Sequence, residues 1–144
     1  MTTRRIDPRA PLALAIAVLL AACSGQPSVS EPSLSASLGP RPASPAKIEI
    51  QEPAPSTTVS GTKVHIVLTL TGAKIVQGTS TTIRPDEGHV HLYVNGVLVS
   101  MNYGLEQDIP VQQGTIDIKA EFVAADHAPF SPRVWSQDVV ITVR

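Results

Sequence analysis

One cysteine, five aromatic residues and a charged fraction of 16% are all that 144 residues contain of these types. A single cysteine excludes an intrachain disulfide, so whatever folds must hold together by its core alone. A formal net charge of −1 with no basic run excludes nucleic acid or an anionic lipid surface as an electrostatic partner. No stretch keeps a helical apolar period for three turns, which excludes a helical bundle. The nucleophile elbow, the phosphate-cradling glycine loop and the His-Glu-x-x-His helix are all missing, so no catalytic constellation is recognisable and binding rather than catalysis is expected.

The cysteine that is present is informative by its place. Cys23 closes Leu20, Ala21, Ala22, Cys23, directly after the apolar run Pro11 to Ala22 and the basic start Arg4, Arg5, Arg9. About a dozen apolar residues are too few to span a bilayer, and the small residues mark a cleavage point. Residues 1–22 therefore read as an export signal. Ile6, Asp7 and Pro8 do not continue a twin-arginine pattern, which leaves the general secretory route. The segment resembles the lipobox of bacterial lipoproteins, and that resemblance implies lipidation of Cys23 and an extracytoplasmic protein anchored to the cell membrane or the outer membrane. Ser24 stands where an inner-membrane retention signal commonly has Asp.

Residues 23–46 are rich in Ser, Pro and Ala, with Glu31 and Arg41 as their only charges. Such a stretch buries too little apolar surface to offset its chain entropy, so it reads as a disordered tether. Residues 47–144 are then one small domain, with seven Lys or Arg against ten Asp or Glu.

Alternating apolar residues predict strands at Ile48 to Gln51, Val64 to Thr71, His89 to Val94, Val97 to Met101, Asp108 to Val111, Thr115 to Ala124 and Trp135 to Val143. Asn95-Gly96 is the preferred pair for a type I′ hairpin turn. About seven short strands in a hundred residues predict an all-β, antiparallel immunoglobulin-like (fibronectin III-like) sandwich.

The hairpin turn fixes a register. With Val94 opposite Val97, His91 is expected opposite Ser100 and His89 opposite Asn102. Val90, Leu92, Val94, Val97, Val99 and Met101 then share the core face, while His89, His91 and Tyr93 share the other, so Met101 is expected in the core rather than beside the histidines. In an immunoglobulin-like sheet the His89 strand lies antiparallel to Thr115–Ala124, and the start of one meets the end of the other. Asp126 and His127 are thereby expected at the rim occupied by His89 and His91. Histidines at i and i+2 with a third from the neighbouring exit loop suit zinc or copper, Asp126 serving as a ligand or as an acceptor behind one. His65 is expected on the surface, away from this group. The competing expectation is a half-exposed polar strand on a cofactor-free domain that binds a protein or an envelope polymer.

Glu87, Asp117, Glu121 and Asp138 read as solvated charge on exposed strand faces, and Phe130 and Trp135 as core or rim packing. Gly88-His89-Val90-His91-Leu92, Gly114, Ala125-Asp126-His127, Pro132, Ser136 and Val139 to Val143 resemble an uncharacterised family of secreted bacterial domains, in which a Gly-His-x-His-Leu strand precedes an Ala-Asp-His segment. That resemblance implies the fold and the pairing of the two motifs, and no activity. Copper-zinc superoxide dismutase also has a His-Val-His strand on a sandwich. Its second histidine group and its disulfide have no counterpart among four histidines and one cysteine.

Overall fold

A computed structural model describes residues 40–144; the expected export signal 1–22, Cys23 and the expected tether as far as residue 39 lie outside the described residues. Ten strands follow in order: β1 Lys47–Glu52, β2 Thr58–Val59, β3 Lys63–Thr71, β4 Lys74–Ile75, β5 Glu87–Val94, β6 Val97–Asn102, β7 Glu106–Pro110, β8 Gly114–Ala124, β9 Pro129–Trp135 and β10 Val139–Val143. They form one three-stranded sheet in the order β1-β3-β7 and a larger one in the order β2-β10-β8-β5-β4, with β6 also paired to β5 and β9 to β8. The fold is an all-β immunoglobulin-like sandwich.

Period-two patterning accounts for the core. In β3 the buried residues Val64, Ile66 and Leu68 alternate with Lys63, His65 and Thr69, which face solvent. Together with Ile48 and Ile109 they meet Val90, Leu92, Ile116, Ile118, Phe122 and Ile141 from the larger sheet in a single apolar cluster. Phe122 and Phe130 stack within it, centroids 5.6 Å apart.

The expected Trp135–Val143 strand is confined to Val139–Val143, β10, because Ser136, Gln137 and Asp138 leave the ladder, and Pro129–Trp135 form a separate strand, β9, of which only Trp135 was expected in a strand. β10 covers one edge of β8 along its first half, Gly114 to Ile118, and β9 covers that edge from Glu121 onward. β5 covers the other edge, antiparallel from Gly88 opposite Ala124 to Val94 opposite Ile118. Gly88 is required at this crossing, since a Cβ there would run into the Val123 carbonyl oxygen.

The β5–β6 hairpin turns at Asn95 and Gly96, both with positive φ (50° and 77°), as a type I′ turn demands. Val94 faces Val97 and Tyr93 faces Leu98, as the turn dictates. Beyond this point the expected register fails. Val99 has no partner, and the ladder resumes with Leu92 opposite Ser100, His91 opposite Met101 and Val90 opposite Asn102. One extra residue in β6 is a β-bulge, and it turns every later side chain of that strand to the other face. Met101 is accordingly turned out of the core; Val97, ahead of the bulge, and Val99, at it, are exposed as well, and no residue of β6 joins the apolar cluster.

The packed chain also begins earlier than residue 47. The Ser131 N–H donates to the Pro42 carbonyl at 3.0 Å, Ala46 is buried with the core, and Arg41 reaches the turn after β8. Residues 41–46, read as tether from their composition, pack against the strands here.

Candidate functional site

The turn between β8 and β9 brings the two motifs together. The His127 N–H donates to the Ala124 carbonyl at 2.9 Å and the Ala124 N–H to the Ala128 carbonyl at 3.0 Å, which folds Ala125 to Ala128 back over the end of the sheet. His127 sits there with φ of 63°, in the left-handed region that costs a non-glycine residue about 1–2 kcal/mol. Asp126 accepts from the Ala128 N–H at 3.1 Å, closing the turn.

From this turn the His127 ring reaches across to β5. Its Nδ1 lies 3.3 Å from His91 Nε2, and its Nε2 lies 3.1 Å from Thr79 Oγ1. The rings of His91 and His127 stack at 5.6 Å, and those of His89 and His127 lie at 4.3 Å. Tyr103, just past β6, sets its ring edge against His89 at 4.7 Å and stands 6.4 Å from His127. This packing makes β5 a strand buried on both faces, so His89 and His91 are enclosed rather than half exposed.

The three histidines differ in what their nitrogens can do. His89 Nδ1 meets the Val76 carbonyl and Nε2 the Ala125 carbonyl, each at 3.1 Å. Both nitrogens face backbone carbonyls rather than the space between His91 and His127, and a neutral ring, with its single N–H, donates to one of the two. His89 thereby links the 76 loop and the 125 turn to β5, and its nitrogens are not directed at the His91–His127 pair. His91 and His127 keep one nitrogen each directed at the other. Removal from water pushes both imidazoles below the ordinary histidine value, and the neighbouring His89 acts in the same direction. Glu121, opposite His91 on β8, opposes that shift for His91, as Asp126 does for His127.

Asp126 is not turned toward the histidines. Its carboxylate takes a bidentate pair from Arg41, Nη1 to Oδ2 at 2.7 Å and Nη2 to Oδ1 at 2.8 Å, and Arg41 further donates to the Pro129 and Ala128 carbonyls at 3.0 and 3.1 Å. The guanidinium holds the Asp126 carboxyl below its usual range. Asp126, expected as a ligand or as an acceptor behind one, is bonded to Arg41 here and clamps the histidine turn. Among the described residues no three His, Cys, Asp or Glu side chains form a group able to hold a metal. The donors that do converge are the pair His91 and His127.

His65 lies in the other sheet, exposed, with Nδ1 2.8 Å from the carboxylate of Asp108 directly across the ladder. That carboxylate raises its pKa. Glu121 departs from the expectation of solvated charge: it is 1% exposed, receives Arg133 Nε at 2.6 Å and Nη2 at 2.7 Å, and accepts from the Tyr93 hydroxyl at 3.0 Å. Trp135 packs edge-on against Tyr93, with the Arg133 guanidinium 4.4 Å from its ring centre. Sequence reasoning missed Arg41, Thr79, Tyr103 and Met101 as neighbours of the site. A lone arginine among prolines was the signal for the first, and only the bulge reveals the last.

No family model matches the chain, and no curated protein sequence matches it. Among solved structures it is similar to the fibronectin(III)-like modules of Clostridium thermocellum CbhA, with 15% identity and a TM-score of 0.44, over 68% of this chain and 45% of that one. An engineered protein is similar at 13% identity and a TM-score of 0.41, over 69% of this chain and 20% of that one. The chain thus spans less than half the length of either, and likenesses this distant say nothing of function.

Proposed function

We propose that this chain is a lipid-anchored, extracytoplasmic binding module that takes one transition metal ion, zinc or copper, between His91 Nε2 and His127 Nδ1. The observation that carries the reading is the 3.3 Å separation of those two nitrogens. Two ligands about 2.05 Å from a tetrahedral zinc ion stand roughly 3.3 Å apart, so the pair needs a change of ring tilt more than a change of place. Thr79 Oγ1 supports it, since a ligating histidine commonly donates its other N–H to a fixed acceptor, and the hydroxyl lies 3.1 Å from His127 Nε2. Arg41, Asp126 and His89 hold the frame. The resemblance to a domain family that pairs Gly-His-x-His-Leu with Ala-Asp-His supports the same contact, and the lipobox at Cys23 supports the location.

The test is the melting temperature of the protein with and without metal. Metal bound only to the folded state raises it, and chelator removes the increment. His91→Gln and His127→Asn should each abolish the increment while His65→Ala preserves it; Asn is chosen because it tolerates positive φ. An increment that survives both substitutions contradicts the assignment.

A second reading has its own observation. Edge strand β6 exposes Val97 (64%) and Met101 (59%) with Leu98 and Val99, an apolar edge of the kind that partner strands add to. A cofactor-free protein or envelope-polymer interaction domain would use that edge, and it assigns the histidines no role beyond packing.

A further inference from the structure

The metal reading leaves the site one donor short of a stable set, and the register of β6 supplies a candidate. Because Val99 is bulged out of the ladder, Met101 stands directly opposite His91. Residues opposite each other across an antiparallel pair have Cα atoms about 4.5–5.5 Å apart and side chains on the same face. Tyr103, two residues further along, packs against the rings of His89 and His127, so this end of the strand faces the histidine cluster. Met101 is 59% exposed and outside the apolar core, which leaves its three side-chain torsions free to direct the sulfur.

We infer that Met101 is the third ligand and that the site is therefore selective for copper(I), or another soft monovalent ion, over zinc. This rests on the pairing of His91 and His127 argued above. A thioether is a soft, uncharged donor that selects copper(I), whereas zinc gains little from it and favours imidazole, thiolate and carboxylate. The carboxylates that would favour zinc are bonded elsewhere. Asp126 is closed on Arg41, and Glu121, the residue across β5 from Met101, is closed on Arg133 and Tyr93. An uncharged set of two imidazoles and a thioether suits an ion of single charge better than one of double charge, because nothing in the set offsets the second charge.

The experiment measures copper(I) affinity of the full chain under ascorbate by competition with a chromophoric copper(I) chelator, and zinc affinity by competition with a zinc dye. Cys23→Ser is carried throughout so that no thiol competes. Met101→Leu keeps an exposed side chain of similar volume, and it should weaken copper(I) by about tenfold or more while leaving zinc within roughly twofold. Independently, the Met101 methyl resonance should shift when silver(I), a redox-inert soft ion, is added to the unsubstituted side chain. Equal copper(I) affinity with Met101 or Leu, together with an unmoved methyl resonance, overturns the third ligand. If in that case His91→Gln and His127→Asn still abolish copper(I) binding, the two-histidine reading stands without it. If those histidine changes leave copper(I) and zinc affinities intact, both fail.

Discussion

Arg41 closes both arms of its guanidinium on the carboxylate of Asp126, 85 residues away in sequence, and so ties the chain ahead of β1 to the turn that presents His127. Four hydrogen bonds leave this one side chain, all part-buried. Arg41→Ala is expected to cost about 2 kcal/mol, the scale for charge-assisted bonds. Thermal unfolding should register this as a fall of roughly 10 °C. Arg41→Lys should recover only part, because an ammonium cannot form the two-pronged pair. A melting temperature unchanged in Arg41→Ala would show that residues 41–46 are tether after all.

A larger loss is expected at Glu121, a carboxylate that is fully buried. Arg133→Ala leaves Glu121, 1% exposed, with the Tyr93 hydroxyl as its remaining partner, and an unpaired buried charge costs about 3 kcal/mol or more. Glu121→Gln together with Arg133→Ala should be milder than Arg133→Ala alone, since the charge is then removed with its partner. Urea unfolding of the three variants measures this, and the reverse order contradicts the account.

The titrations have opposite signs at opposite sheets. His91 and His127 have folded pKa values below the unfolded value of about 6.5, so the unfolded chain binds protons first. Their contribution to stability is fully present above that value and is lost as pH falls through the folded values. His65, raised by Asp108, contributes below about 6.5 and loses that contribution as pH rises through its folded value, a small effect at an exposed pair. Asp126, lowered by Arg41, contributes above about pH 4 and loses it in acid. Imidazole proton shifts of the metal-free protein should place His65 above His91 and His127; His91 titrating highest would refute the burial argument.

Replacement of Cys23 by Ser should release the protein from membranes, since the thioether acceptor for the lipid is gone. Detergent-phase partitioning distinguishes the two forms. Unsubstituted protein that partitions to the aqueous phase contradicts the lipoprotein reading.

The sandwich was legible because its signals are local. Alternation in Val64 to Thr71 and in Ile116 to Ala120, with the Asn95-Gly96 turn, already implies strands and faces, and the immunoglobulin-like arrangement of those strands then implies the antiparallel meeting of β5 with β8. The approach of His127 to His91 follows from that topology. The rest was not local. Nothing in Val97 to Asn102 announces that Val99 will bulge, and a one-residue slip moves Met101 from the core to the histidine side. Arg41 lies in a stretch whose average composition is that of a linker, and averaging hides a single well-placed arginine. Glu121 was read as solvated because β9, which brings Arg133 to it, was not expected as a strand: Pro129 and Pro132 interrupt its seven residues.

The most direct measurement is an imidazole-detected NMR titration of the full chain carrying Cys23→Ser with zinc and, separately, with silver(I) at neutral pH. The account predicts that resonances of His91 and His127 move together and saturate at about one ion per chain, with the exchange of His127 Nδ1 and His91 Nε2 from a shared hydrogen bond to a shared metal. His65 should not move. Saturation at one equivalent with His65 shifting and His91 and His127 unmoved, or no shift in any histidine, would contradict the central claim.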